Sequence, residues 1–146
     1  MIVYHGSIEK VVNPEIREAN RPLDYGYGIN TTTSEKQATL WVKHECAVTC
    51  YKNVNFLHFT EPTEKWVEFV MANRTKKDFD HPYDIVGGPV ANDRVYAAFA
   101  LYESGLLNKE ELIRELKTHV LSDQWLFHTV RSLHYISFKE AKEVHL

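Results

Sequence analysis

The sequence predicts an α+β fold in a single domain, with a sheet that is mostly antiparallel or split. The segment 29–33, in the first third of the chain, is rich in β-branched residues, as is typical of strands, and a further strand is expected at 133–138 in the last third. Capping boxes at Ser34–Gln37 and Asn108–Glu111 mark helix starts between them. The order lacks the regular β-α-β alternation of a parallel sheet, and 146 residues fit one domain over 1–146.

In the first half of the chain, strands are expected at residues 2–4, 29–33, 47–51 and 55–59. The last two flank a predicted turn at Lys52 and Asn53. The polar segment 17–28, with one proline and two glycines, is expected to be a loop. A first helix is expected from Ser34, and a second, with Thr60 as its N-cap, is expected to end near Asn73.

In the second half, a strand is expected over Tyr83–Val86, ending at the turn signal Gly87-Gly88-Pro89. A third helix is expected from Arg94 to Ser104, capped by Asn92 or Asp93 and ended by Gly105. A fourth helix follows Asn108, and two final strands are expected at residues 125–129 and 133–138.

Composition and charge exclude several classes of protein. The net charge of −3 gives no general attraction to a phosphate backbone. The longest apolar run, Val95–Tyr102, is far shorter than the ~20 residues of a membrane-spanning helix. The first residues lack a secretory signal pattern, so a cytoplasmic location and no membrane partner are expected. Cys46 and Cys50 are the only cysteines, which argues against a closed zinc site, and no metal is expected.

The sequence contains no nucleotide-binding glycine motif before a helix, no Walker A motif, no zinc-protease HExxH and no hydrolase GxSxG. Three segments remain as candidates for a site. Each alone is also typical of a turn or a surface strand, but their order is informative. They are Tyr4-His5-Gly6-Ser7, Gly26-Tyr27-Gly28-Ile29-Asn30-Thr31-Thr32 and Ser122-Asp123-Gln124-Trp125-Leu126-Phe127-His128.

In this order the chain resembles the ADP-ribosyltransferase superfamily, in its His-Tyr-Glu-like branch. More closely, it resembles a small bacterial family of unassigned function with that fold. The glycine-flanked segment is also similar to that of the poly(ADP-ribose) polymerases. The closer resemblance covers nearly the whole chain through the motifs Tyr4–Ser7, Asp24–Gly28, Gln37-Ala38 with Trp41, Asn73-Arg74, Tyr83–Asp93 and Asp123-Gln124.

The resemblance implies two small antiparallel sheets in a split β-sandwich with surrounding helices, and a cleft for NAD. It implies that His5 binds the ribose or adenosine hydroxyls of NAD and that the Gly6 backbone holds the nicotinamide carboxamide. It also implies that Trp41 stacks on nicotinamide and that Gln124 contacts the 2′-hydroxyl of the nicotinamide ribose. His5 and Gln124 are the predicted catalytic residues. Arg17 is either a ligand of the NAD pyrophosphate or a solvated surface residue. The other predicted NAD-binding residues are Ser7, Tyr27, Gly28, Asn30 and Thr31.

Two residues depart from the His-Tyr-Glu pattern, in which Tyr stands at Asn30 and Glu at Gln124. Cleavage of nicotinamide from ribose develops positive charge on the sugar. Loss of a negative charge ~4 Å away removes on the order of 1–4 kcal/mol of stabilisation, or ~5- to 1000-fold in rate. Tyr25 or Tyr27 is a candidate to replace the missing ring. Asp123 is expected to point to the opposite face from Gln124.

These observations predict an NAD-dependent mono-ADP-ribosyltransferase or an NAD glycohydrolase. The resemblance implies a bacterial toxin or defence enzyme, with an antitoxin protein as a partner and a protein or nucleic acid as the acceptor. Two alternatives stay open: a non-catalytic module that binds NAD or ADP-ribose, and an interaction protein whose cleft binds no nucleotide. Asn92-Asp93 is either a helix N-cap or a loop near the acceptor.

Overall fold

The structure, a computed structural model, describes residues 1–7, 9–17, 24–40, 43–48, 54–76, 79–90, 93–119 and 121–141. Within these ranges, seven strands form two sheets and five helices accompany them, which confirms the α+β class. None of the helices described is long and apolar enough to cross a membrane. The elements are β1 (Ile2–Gly6), β2 (Ile29–Thr31), α1 (Glu35–Leu40), β3 (Lys43–Val48), β4 (Phe56–His58), α2 (Glu64–Thr75), β5 (Ile85–Pro89), α3 (Asp93–Glu103), α4 (Lys109–Lys117), β6 (Asp123–Phe127), α5 (Val130–Leu133) and β7 (Ile136–Glu140).

The strands divide into a three-stranded sheet and a four-stranded sheet. The first has the order β1-β3-β7 and is antiparallel, and the second has the order β2-β6-β5-β4. In the second sheet β4 and β5 are parallel, while the other pairs are antiparallel. The sheets meet where Tyr4 and Thr32 exchange two backbone hydrogen bonds of 2.8 and 2.9 Å. The arrangement is therefore a split sheet with one parallel pair.

Each face of the four-stranded sheet covers a separate hydrophobic core. Alternation along β6 sends Trp125 and Phe127 to one face and Leu126 to the other. Side chains from both sheets form the first core, namely Val3, Ile85, Trp125, Phe127 and Ile136. The second core lies between the sheet and the helices and includes Tyr25, Trp66, Val86, Phe99, Leu112 and Leu126.

The start of α2 lies three residues after the predicted one. Thr63 is the N-cap, and its hydroxyl accepts a hydrogen bond from the backbone N–H of Trp66 at 3.3 Å. Thr60 is not the cap, because Glu61 precedes Pro62 and a residue before proline is disfavoured in helical geometry. The capping box at Asn108 and Glu111 is confirmed, with both reciprocal hydrogen bonds present.

Three strand predictions differ from the structure. The predicted turn signal after Val86 is part of β5, which continues to Pro89 and is buried throughout. Position 87 requires a glycine, because a Cβ atom would lie 2.8 Å from the ring of Trp125 on β6. The strands on either side of residues 49–53 belong to different sheets, and the turn predicted at residues 52 and 53 lies outside the described residues. In the last third, the short helix α5 lies between the two predicted strands and includes Leu133, the first residue of the second one, so that β7 begins only at Ile136.

Candidate functional site

His5 lies near the end of β1, where its Nδ1 atom is 2.6 Å from the carbonyl oxygen of Asn30 in β2. A carbonyl oxygen accepts hydrogen bonds and cannot donate them, so Nδ1 carries the proton in the neutral ring. The preceding residue, Tyr4, pairs with Thr32, which directly follows β2. The histidine-glycine motif and the second glycine motif, which are distant in sequence, are therefore in contact.

Gln124 is the second residue of β6 and is only 3% exposed. Its partner in β5 is Gly88. Asn30 pairs with Leu126, two residues further along β6, so Asn30 and Gln124 are diagonal neighbours on one face of the four-stranded sheet. The two residues that depart from the His-Tyr-Glu pattern thus lie on the same face.

The side-chain amide nitrogen of Gln124 is buried and has no hydrogen-bond partner among the residues that the structure describes. Leaving a buried donor unsatisfied costs ~1–3 kcal/mol. Such groups are uncommon in folded proteins, and a functional role is one of the reasons for keeping them. Gln124 is therefore the predicted site residue with the clearest chemical need for a partner.

Only β2 separates the strand of His5 from the strand of Gln124. The two side chains point differently, however. His5 shares its face of β1 with Val3, which packs in the core between the sheets, whereas Gln124 shares its face of β6 with Leu126, which packs toward the helices. Neither residue lines either of the two cavities described below.

Asp123 has its carboxylate fully engaged by protein donors. One oxygen accepts from the Thr32 hydroxyl at 2.8 Å and from the Thr33 backbone N–H at 3.0 Å, and the other accepts from the Trp125 indole at 2.6 Å. These contacts tie β6 to the segment that opens α1. They lie on the face of the sheet that carries Trp125, and Gln124 is on the opposite face. Asp123 therefore does not supply the charge that Gln124 lacks.

Thr31 and Gly28, both predicted to bind NAD, have clear packing roles. Thr31 is buried, and its hydroxyl donates to the carbonyl oxygen of Trp125 at 2.9 Å. Gly28 has a φ of +150°, and a Cβ atom there would lie 2.2 Å from the carbonyl oxygen of Phe127. The glycine is required for β2 to approach β6 this closely.

Gly6 and Ser7 lie at the end of β1, and Gly6 pairs with Lys43 of β3. The Ser7 hydroxyl is half-buried and accepts from the backbone N–H of Glu9 at 3.2 Å. The Ser7 hydroxyl therefore already has a local partner, and the roles predicted for Gly6 and Ser7 in NAD binding stay predictions.

Arg17 is exposed and lies 3.7 Å from a carboxylate oxygen of Glu15. It lines neither of the two cavities. Trp41 and Asn92 lie outside the described residues, so their predicted roles in stacking and in capping stay predictions. Asp93 is the first residue of α3.

Tyr25 and Tyr27 have opposite environments. Tyr25 is fully buried, where its hydroxyl donates to the carbonyl oxygen of Pro89 and accepts from the Trp66 indole at 2.7 Å. Burial raises the pKa of Tyr25 well above its usual range. The suggestion that Tyr25 supplies a stacking ring is therefore wrong. Tyr27 is 44% exposed and lines a cavity.

That cavity, of about 220 Å³, is the feature that sequence reasoning missed. It lies beyond the end of β6 that is distant from Gln124. Its wall contains two histidines, His81 and His128. They are 47 positions apart in the sequence, and no sequence motif connects them. Its lining is Gly26, Tyr27, Asn73, Lys76, Phe79, Asp80, His81, Tyr83, His128 and Thr129.

His128 is held in one tautomer. Its Nδ1 atom is 2.6 Å from the carbonyl oxygen of Tyr27, so Nδ1 carries the proton and Nε2 is an acceptor. Nε2 is buried without a hydrogen-bond partner among the described residues. Burial, followed by the neighbouring His81, lowers the pKa of His128 to about 4, so the ring is neutral at pH 7.

A second, more open groove of about 470 Å³ lies at the other end of β6. It adjoins Asp123, Gly88 and Pro89, and is bordered by Lys117, the last residue of α4, and by His119. In the part of the chain that the structure describes, no three histidine, cysteine, aspartate or glutamate side chains are grouped so that they could hold a metal ion.

The fold and this site define a two-sheet α+β domain in which a histidine-glycine strand contacts a glycine-flanked strand. Residues 1–138 match the model of the family described as "Protein of unknown function (DUF3990)", and the chain belongs to that family. No curated protein and no solved structure matches the chain.

Proposed function

We propose that this protein is an NAD-dependent mono-ADP-ribosyltransferase that transfers ADP-ribose to a protein or nucleic-acid acceptor, or to water as an NAD glycohydrolase. The observation that carries the proposal is the 2.6 Å contact between His5 Nδ1 and the Asn30 carbonyl oxygen. It joins the two motifs on which the resemblance to ADP-ribosyltransferases rests. The split sheet and the position of Gln124 on β6, the strand paired with β2, are in keeping with it, although the side chains of His5 and Gln124 face different cores.

The proposed reaction breaks the bond between nicotinamide and C1′ of the ribose. The bonding electrons leave with the pyridine nitrogen, so nicotinamide departs neutral, and the sugar passes through an oxocarbenium-like state. The acceptor nucleophile forms a new bond to C1′ and releases its proton to solvent. His5 orients ribose hydroxyls, and the Gln124 amide contacts the 2′-hydroxyl, so both act by positioning rather than by charge.

The setting in the proposal is a bacterial toxin or defence enzyme that acts in the cytoplasm. An antitoxin protein would then be its partner in the producing cell. Both points rest on the resemblance to small stand-alone transferases.

A second candidate is a non-catalytic module that binds NAD or ADP-ribose. The neutral side chains at Asn30 and Gln124 favour it, because neither stabilises a developing positive charge as a carboxylate does. The buried amide of Gln124 serves equally well in recognition.

Nicotinamide release from NAD tests the proposal. Purified protein is incubated with NAD labelled in the adenylate moiety, with and without a cell lysate, and free nicotinamide and labelled macromolecules are measured. The transferase is supported by release with labelling, and the glycohydrolase by release without labelling. NAD binding in calorimetry without release favours the binding module.

Two variants connect turnover to the proposed site. His5→Ala and Gln124→Leu are expected to reduce release at least ~10-fold, a loss of ~1.4 kcal/mol. His134→Ala is the matched control, since His134 is exposed and follows α5. Unchanged release in both site variants would remove this site assignment.

A further inference from the structure

We propose that the cavity between Tyr27 and His81 is a binding site for a single planar nitrogen heteroaromatic ring that carries amino or amide N–H donors. Nicotinamide and adenine share this chemistry. The site is separate from the proposed NAD-cleaving residues, because His128 directly follows β6 whereas Gln124 lies near the start of that strand.

Rings form much of the cavity wall. The ring centroid of His81 lies 6.0 Å from that of Phe79 and 5.6 Å from that of Tyr83. His128 meets His81 edge to face, with centroids 4.5 Å apart. Aromatic walls of this kind bind flat ligands through offset or edge-to-face contacts. The cavity of about 220 Å³ is smaller than the ~300–1,000 Å³ of drug-sized sites, so it suits one ring system rather than a dinucleotide.

The hydrogen bonds of the two imidazoles select a ligand with donors. His81 Nδ1 accepts from the Tyr83 backbone N–H at 3.3 Å, and His128 Nδ1 donates to the carbonyl oxygen of Tyr27. His128 Nε2 is therefore the acceptor of the pair that has no partner in the described part of the chain. An amino or amide N–H from the ligand supplies the missing donor.

Access to that nitrogen involves His81. Nε2 of His128 is covered by surrounding protein atoms, and the ring of His81 lies against that of His128. Binding is therefore expected to displace the His81 ring and to break its hydrogen bond with the Tyr25 backbone, so both histidines should respond to the ligand. Lys76 and Asp80, both exposed at the cavity lining, offer charges of both signs and do not select a charged ligand.

Titrations with matched ligand pairs test this inference in the intact chain. One pair is nicotinamide and methyl nicotinate, and the other is 9-methyladenine and 9-methylpurine. The second member of each pair keeps the ring but lacks the amide or amino N–H. Imidazole nitrogen signals in nuclear magnetic resonance report binding at His81 and His128, and the titration gives the Kd.

The donor-bearing member of at least one pair is expected to shift the signals of both histidines and to bind ~10-fold more tightly than its partner, as one added hydrogen bond provides. Binding in the nicotinamide arm only, or in the adenine arm only, identifies which ring the site takes. His128→Phe is expected to lose this preference, while His134→Phe, at an exposed histidine outside the cavity, keeps it.

The inference is overturned if neither donor-bearing ring shifts the two histidines at its solubility limit, or if both members of each pair bind equally. The ligand pairs decide the question with the unmodified chain, even if His128→Phe does not fold. Because no NAD cleavage is measured, failure here leaves the transferase proposal intact, and failure of nicotinamide release leaves this inference intact.

Discussion

The rings of His81 and His128 meet edge to face with centroids 4.5 Å apart, at an interplanar angle of 85°. His81 precedes β5 and His128 follows β6, so the contact connects the ends of two paired strands. Burial lowers the pKa of both rings, against the opposing effects of the Tyr25 backbone and Asp80 at His81. A neutral histidine pair at this position makes the fold sensitive to acid.

We expect the free energy of unfolding to fall as the pH drops from 7 to 4. The unfolded chain binds a proton at His128 with a pKa of 6.5, whereas the folded chain does so at about 4. The unfolded state therefore takes up more protons in this window, and the folded state loses on the order of 2–3 kcal/mol. Denaturant unfolding at pH 7, 5.5 and 4 measures the loss.

The matched variants for this prediction are His128→Phe and His134→Phe. The first is expected to flatten the pH dependence, while the second is expected to leave it unchanged, because His134 is exposed. The charges that face His128 are His81 and Asp84. Asp84 titrates below its ordinary value of 3.8, outside the window. An equally steep dependence in His128→Phe would contradict the assignment.

The ion pair of Asp84 and Arg131 is asymmetric in burial, which predicts unequal effects of mutation. Asp84 is 3% exposed and accepts hydrogen bonds from Arg131 at 2.5 Å, from the Thr129 hydroxyl at 2.7 Å and from the Asn55 backbone at 2.7 Å. Burial opposes ionisation of Asp84, but these donors outweigh it and lower its pKa. The carboxylate therefore holds β4, β5 and the start of α5 together.

Asp84→Ala is expected to lower the free energy of unfolding by ~2–4 kcal/mol, because several partially buried donors lose their acceptor. Arg131→Ala is expected to cost less than ~1 kcal/mol, since 58% of the Arg131 side chain is exposed and exposed charges contribute little. Thermal or denaturant unfolding compares the two. Equal losses would show that the ion pair, and not the carboxylate alone, connects these elements.

Replacing Gly87 or Gly105 by alanine is expected to lower the free energy of unfolding for different reasons and by different amounts. A Cβ atom at Gly87 would lie 2.8 Å from the Trp125 ring in the core, so Gly87→Ala should cost ~1–3 kcal/mol by overpacking. Gly105 has a φ of +77° and nothing within 4 Å of its Cβ position. The loss of stability in Gly105→Ala should therefore come from the backbone conformation alone, at ~1 kcal/mol. Urea unfolding ranks the two, and a smaller loss at Gly87 would argue against the close approach of Trp125.

The sequence predicted elements whose signal is local. The capping box at Asn108 contains the complete hydrogen-bond pattern within four residues, and the start of β2 follows from β-branched residues after Gly28. The course of β5 through Gly87-Gly88-Pro89 could not be predicted in this way, because Gly87 lies against the ring of Trp125 on β6 and Gly88 lies against Tyr25 and Phe59, which are all distant in sequence. The four residues of α5 are too few to show a helical period.

The candidate site also depends on contacts between distant parts of the chain, which local sequence signals do not reveal. The resemblance implied that His5 and Asn30 both bind NAD, but nothing in the sequence indicated their direct contact, since the two residues are 25 positions apart. The pairing of His81 with His128 has no counterpart in any motif, because it depends on where two strands end. Buried atoms without partners, such as Gln124 Nε2 and His128 Nε2, are properties of packing and are visible only in three dimensions.

Gln124 gives the sharpest test of the proposed chemistry, because activity and stability are expected to change in opposite directions. Gln124→Leu removes a buried donor that has no partner among the described residues while keeping a similar volume. We expect the free energy of unfolding to stay the same or rise by ~1 kcal/mol, while nicotinamide release falls at least ~10-fold. A loss of activity that is accompanied by unfolding would instead assign Gln124 to the fold.

Gln124→Glu is expected to do the reverse. A carboxylate beside the ribose stabilises the developing positive charge, which predicts a ~5- to 1000-fold faster release of nicotinamide. The cost is stability, because burial disfavours an ionised carboxyl group and raises its pKa, so the gain in rate should grow as the pH rises above 7. Nicotinamide release measured from pH 6 to 9, beside His134→Ala as the control, checks both effects. If the rate does not increase at any pH while NAD still binds, Gln124 serves recognition and not cleavage.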